Sequence, residues 1–217
     1  MKRKKLMKKR IISIILVVLS LALIILPLAS CGGNEKDTRV DDPDDIKSLG
    51  YTVTHYATIK IKDYGEIKLE LYGYEAPITV ENFVNLANSG FYDGLVFHRI
   101  MSDFMIQGGG FNKDGSEKDA PSIKGEFYEN GIINQIEHVR GVISMARTDV
   151  MDSASSQFFI MHKTSPHLDG KYAAFGKVIK GMYVVDEICD SVKQGYNGAV
   201  ALKDRPVIES ITIEEVK

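Results

Sequence analysis

VFHRIMSDFMIQGGG, Val96 to Gly110, is the stretch from which the rest of the chain can be read. Two short apolar runs, Val96–Ile100 and Phe104–Gln107, flank a turn at Met101-Ser102-Asp103, and three glycines follow. Each run alternates as a half-buried strand does, which predicts Phe97 and Arg99 on one face and His98 on the other. A cation, an amide and large apolar side chains are thereby held together at the edge of a sheet. A plainer reading leaves Arg99 in solvent and uses Gly108–Gly110 only to turn the chain.

Working outward, the flanking segments speak for a mainly β domain. Ala57–Lys62 and Ile67–Leu71 alternate around Asp63-Tyr64-Gly65-Glu66, the pattern of a β-hairpin. Pro77 opens a helix whose Val80, Phe83, Val84 and Ala87 form one stripe, with Gly90 as its stop. A polar loop runs from Phe111 to about Ser122. Gly141–Ala146, Gln157–Met161 and Ala173–Val178 read as further strands, and Val207–Glu214 as a closing one. Gly181–Cys189 predicts a second helix with Met182, Val185 and Cys189 on one face. Short strands with two isolated helices and no βαβ rhythm point to an antiparallel barrel or sandwich.

Charge divides the chain differently. Residues 1–30 hold seven Lys or Arg and no acid, leaving 20 basic against 29 acidic residues, a net charge of −9, over 31–217. So acidic a body lacks the clustered cations that nucleic acid requires. The basic start is followed by sixteen residues, Ile11–Leu26, that are apolar but for Ser13 and Ser20. A run this short with a basic flank reads as an export signal before it reads as a spanning helix. Leu28-Ala29-Ser30-Cys31 resembles a bacterial lipobox, which implies a lipoprotein signal peptide over 1–30 and a lipid anchor on the thiol of Cys31. An uncleaved N-terminal anchor is the alternative. Either way the body is expected outside the cytoplasm, at the outer face of the cell membrane.

Residues 31–50, centred on Asp41-Asp42-Pro43-Asp44-Asp45, cannot bury a core and read as an acidic flexible tether to a domain over 51–217. Cys31 and Cys189 are the only cysteines, so an acylated Cys31 leaves no intramolecular disulfide, and Cys189 is expected as a buried, inert thiol. Five histidines show no metal-binding spacing, and Ser144 and Ser156 lack a nucleophile elbow. A solute-binding lipoprotein would suit the leader, but it needs two α/β lobes that this chain does not pattern.

Four blocks carry a family resemblance: FHRIMSDFMIQGGG, then GVISMAR (141–147), SQFFIM (156–161) and LDGKYAAFGKV (168–178). In this order they resemble the signature blocks of cyclophilins, the peptidyl-prolyl cis-trans isomerases, and PITVENFVNLANSGFYDG resembles that family's first helix. The resemblance covers roughly 51–217. It implies a closed eight-stranded antiparallel β-barrel capped by two α-helices, with the groove on its outer face, and substrates that are proline-containing polypeptides. It places the catalytic arginine on Arg99 and its orienting amide on Gln107. The proline pocket falls on Phe104, Met105, Phe159 and Leu168, and backbone-binding groove positions on Ala146 and Gln157.

His167, Tyr172 and Arg147 border the same groove but stand where the best-studied eukaryotic members have tryptophan, histidine and asparagine. The first change removes an indole N–H that donates to cyclosporin in those members. Bond rotation breaks no covalent bond, so no cofactor or metal is implied, and a monomer is expected. A proline-peptide binding or holdase module with little catalysis is the alternative function.

Overall fold

The computed structural model describes residues 49–216, so the leader, the Cys31 lipidation site and most of the tether lie outside the described residues. The hairpin comes first. β1 (His55–Ile61) and β2 (Gly65–Leu71) pair antiparallel from His55–Leu71 to Ile61–Gly65, across a turn in which Asp63 takes a left-handed φ of 67°. Ala57, Ile59 and Ile61 on one strand and Ile67, Leu69 and Leu71 on the other are buried, so the period of two is met on both.

Helix α1 (Pro77–Asn88) buries Thr79, Val80, Phe83 and Ala87. Proline suits its first turn because the missing N–H would have no helical partner. Its own sequence supplies no side-chain cap. The buried carboxylate of Glu126 does so from outside, accepting the backbone N–H of Ile78 at 3.1 Å and of Thr79 at 2.7 Å. A negative group there also suits the positive end of the helix dipole.

Strands β3 (Leu95–Met101), β4 (Met105–Asn112), β5 (Val142–Met145), β6 (Phe158–Met161) and β7 (Ala174–Lys180) follow. Helix α2 (Met182–Ser191) and strand β8 (Ile208–Glu215) complete the domain. All eight strands form one antiparallel sheet in the order β3-β4-β6-β5-β7-β2-β1-β8. The edges β8 and β3 meet through a single bridge, Val96–Val207. Two backbone bonds extend it, Gly94 N–H to the Ile208 carbonyl and Phe97 N–H to the Pro206 carbonyl, each 2.9 Å. The closure is therefore a short seam rather than a full ladder, a milder form of the closed barrel expected.

The sheet encloses one aromatic core. Phe158 meets Phe83, Tyr92 and Phe97 edge-on at 5.6, 5.6 and 6.0 Å between centroids, the arrangement that ring quadrupoles favour. A second, smaller cluster lies on the outer side and includes Met105, Phe159, Met161, Leu168 and Ala174. The glycines correct one expectation. Gly108–Gly110 do not turn the chain but lie inside β4. A Cβ on Gly108 would stand 2.9 Å from both the Phe97 ring and the Val96 carbonyl oxygen, so strand and core leave no room for one.

Cys189 is buried on α2 beside Met182 and Val185, and burial pushes its thiol up to about 12, so thiolate chemistry is suppressed there.

Candidate active site

The site begins where two strands fall out of step. Phe97 pairs with Gly108 and Arg99 with Gln107, so β3 advances two residues while β4 advances one. This is a β-bulge, a device that bends a strand and re-aims a side chain. Phe97 remains in the core, whereas Arg99 lines an outer pocket and Ile100 returns to the core. Simple alternation predicts Phe97 and Arg99 on one face. The bulge separates them.

Four hydrogen bonds hold the half-buried Arg99. Its Nη1 donates to Gln107 Oε1 at 3.3 Å, and its Nη2 to Met101 Sδ at 3.2 Å. Its Nε donates to the Asn197 carbonyl at 3.0 Å, and its Nη2 to Asn197 Oδ1 at 2.9 Å. Gln107 is fixed in turn, its Nε2 donating to Gln157 Oε1 at 3.1 Å. Burial lowers the Arg99 guanidinium from its ordinary value, but an arginine keeps its proton in any protein setting.

Asn197 is the member that sequence reasoning missed. It takes a left-handed φ of 53° in the turn Tyr196–Gly198, which packs so closely on β3 that a Cβ on Gly198 would stand 2.6 Å from the Ile100 carbonyl oxygen. The Asn-Gly pair at 197–198 is a visible turn signal, but nothing in it indicates what the turn touches.

Beside Arg99 opens a small pocket of about 100 Å³ lined by Phe104, Met105, Gln107, Ala146, Arg147, Phe159, Leu168 and Tyr172. The sequence-predicted residues thus converge, with two at one remove. Gln157 stands behind Gln107, and the end of β5 is laced to it by Ala146 N–H donating to the Gln157 carbonyl at 2.9 Å. His167 does not line the pocket but stacks on Phe104, 5.7 Å between rings. Larger recesses of about 420 and 600 Å³ open elsewhere, yet neither sets aromatic walls beside a fixed cation. Volume alone does not locate the chemistry.

Behind the pocket, the buried His138 ring lies stacked on Phe159 at 6.0 Å. Its Nδ1 is 2.9 Å from Asp169 Oδ1 and its Nε2 3.1 Å from Ser144 Oγ, and burial holds its pKa below the usual histidine value. Asp, His and Ser in line suggest a hydrolase triad. Ser144 is fully buried, so no substrate reaches it, and the row is a prop for the Phe159 wall.

Comparison with known proteins converges on one group. The family model described as cyclophilin type peptidyl-prolyl cis-trans isomerase/CLD matches residues 56–217. Peptidyl-prolyl cis-trans isomerase A of Dickeya dadantii is 44% identical over 150 residues, covering 66% of this chain and 76% of that protein. A peptidyl-prolyl cis-trans isomerase of Acinetobacter baylyi is 43% identical over 159 residues, covering 70% and 82%. Among solved structures, a cyclophilin type peptidyl-prolyl cis-trans isomerase of Cryptosporidium parvum superposes with a TM-score of 0.62 at 27% identity, covering 76% of this chain and 99% of that one. A second structure of that protein, determined in the presence of the dipeptide Ala-Pro, gives a TM-score of 0.61 over 74% and 99%.

Proposed function

The chain belongs to the cyclophilin-type peptidyl-prolyl cis-trans isomerase family, and from that premise we propose that it turns X–Pro bonds in exported proteins from a lipid anchor outside the membrane, with Arg99 as its catalytic residue. The observation that carries the site assignment is a tethered guanidinium at the mouth of a small pocket walled by Phe104, Met105, Phe159 and Leu168, with no carboxylate among the described residues that line it. The obstacle to the reaction is amide conjugation, a barrier of ~18–20 kcal/mol. When the X–Pro bond twists, the proline nitrogen regains a lone pair that both planar isomers delocalise. An N–H of Arg99 aimed at that nitrogen is then stronger at the transition state than in either isomer, the condition for acceleration. One preorganised donor of this kind is worth about 2.7–4 kcal/mol.

The pocket has a separate task. Phe104, Met105, Phe159 and Leu168 bury the proline ring, about 0.8 kcal/mol per methylene. They grip cis and trans rings alike, so this term strengthens binding without itself speeding rotation. Holding the ring while the preceding residue swings converts grip into catalysis. Gln107 and Asn197 supply the preorganisation: an arginine free to wander would first have to be ordered.

The export role rests on the basic n-region, the apolar run Ile11–Leu26 and the Leu-Ala-Ser-Cys tetrapeptide ending at Cys31. A diacylated cysteine carries two chains, the number that gives stable anchoring. Two measurements test the reading. Exchange of a short X–Pro peptide should be accelerated by the protein and lose about 100-fold in Arg99→Ala, the size of one transition-state donor. Equal peptide binding by both proteins with acceleration by neither would reduce the groove to a recognition module. The protein should also label with radioactive palmitate in cells and leave the membrane fraction as Cys31→Ala, and an unlabelled wild type would end the anchor proposal.

A further inference from the structure

Nine of the described residues line the proline pocket; two are arginines and none is acidic. This is a cationic mouth on a body of net charge −9 over residues 31–217. Arg99 has its role. Arg147 does not, and its setting is unusual. The centre of its guanidinium lies 4.8 Å from the Phe127 ring and 4.8 Å from the Tyr172 ring. Its Nε donates to the Lys171 carbonyl at 2.9 Å and its Nη1 to the Thr148 carbonyl at 2.8 Å. Nη2 makes no hydrogen bond among the described residues. Among the described residues the acids nearest in sequence do not neutralise it: Asp149 makes no pair with it, and Asp152 accepts from Gly125 N–H at 3.0 Å and Asn130 Nδ2 at 2.6 Å and lies 3.3 Å from Lys124 Nζ.

These facts fix what Arg147 can do. Two aromatic rings against the cation displace water from it, and Nη2 is left to meet a partner. A planar guanidinium with free N–H groups fits a carboxylate better than it fits any neutral acceptor. Because the side chain is already immobilised, little further ordering is lost when the partner arrives. We propose that Arg147 makes the groove select X–Pro bonds with an Asp or Glu within one residue of the proline. The inference rests on the isomerase reading of the groove and adds a substrate class to it.

The test compares matched peptides with Glu, Gln or Lys placed just before the proline and, in a second series, just after it. Exchange is followed by magnetisation transfer with the full chain as wild type, Arg147→Gln and Arg147→Lys. For the position Arg147 reads, wild-type kcat/KM for Glu over Gln should be about fivefold, the worth of a partly exposed charge pair. The ratio should shrink in about 1 M salt, where screening reaches within ~3 Å. It should fall to about one in Arg147→Gln and stay above one in Arg147→Lys. Each ratio is internal to one protein, so a loss of folded fraction cancels. A wild-type ratio of one in both series, or a preference surviving in Arg147→Gln, would overturn the assignment. The neutral peptide separates the two readings: no acceleration of it defeats the isomerase reading, whereas acceleration without charge preference defeats only the role of Arg147.

Discussion

Phe158 and Phe159 are the same residue type, adjacent in β6, and they belong to different parts of the molecule. Phe158 points into the barrel and meets three other rings edge-on. Phe159 points out, lines the proline pocket, and is backed by His138 and Tyr172 at 6.0 and 5.8 Å. The interior is shut off from water on all sides. The outer cluster is shut off only from behind, and its front opens as the pocket proposed to take the proline ring. One strand therefore separates what holds the fold from what handles the substrate, and the two faces should answer differently to change.

The sharpest division should come from the largest effects. Phe158→Ala is expected to cost about 3–5 kcal/mol in urea unfolding, as deletion of a packed interior ring does. Equal costs for Phe158→Ala and Phe159→Ala would break the comparison. Arg99→Ala should show the reverse pattern, with about 100-fold slower exchange and a melting temperature close to wild type.

His98 sharpens the comparison from the other side, since it lies outside the core yet should act on stability. Its ring packs on Phe111 at 4.5 Å, its Nδ1 is buried without a partner among the described residues, and burial together with Arg205 and Arg99 pushes its pKa down to about 4. Above the unfolded value of about 6.5 neither state is protonated and stability is level. Between there and about 4 the unfolded chain takes the proton that the folded one refuses, so stability falls with pH, by about 2 kcal/mol after allowance for partial exposure. His98→Gln should flatten the slope in a pH series of melts, leaving the part that the buried His138 supplies. A slope unchanged in that variant would remove His98 from the account. The smallest effect expected is Asn197→Ala. It loses the Oδ1 contact to Arg99 and keeps the backbone one, so kcat should fall about tenfold with KM little moved, the worth of one charge-assisted bond.

What the sequence made legible follows from period. The β1–β2 hairpin lies in plain view at a period of two and the α1 stripe at 3.6 residues per turn, whereas the family resemblance alone places Phe159 at the pocket. What it hid follows from pairing. The bulge that turns Arg99 outward is a difference in count between two strands, which neither strand carries alone. The cap of α1 comes from Glu126, 47 residues from Thr79, and the second tether of Arg99 from Asn197, 98 residues away. The same applies to Arg147. Its charge is evident in the sequence, but its contacts with Phe127 and Tyr172 exist only once three separate loops have met.

The distance between Arg99 and Asn197 also imposes an order of events. A ribosome delivers the β3–β4 hairpin long before the turn that steadies Arg99, and later still β8, which pairs with β1 and meets β3 through Val207. A growing chain could bury Phe97 against Phe158 and yet lack a seated guanidinium. The second tether of Arg99 and the seam that closes the sheet are thus among the last parts of the domain to be synthesised.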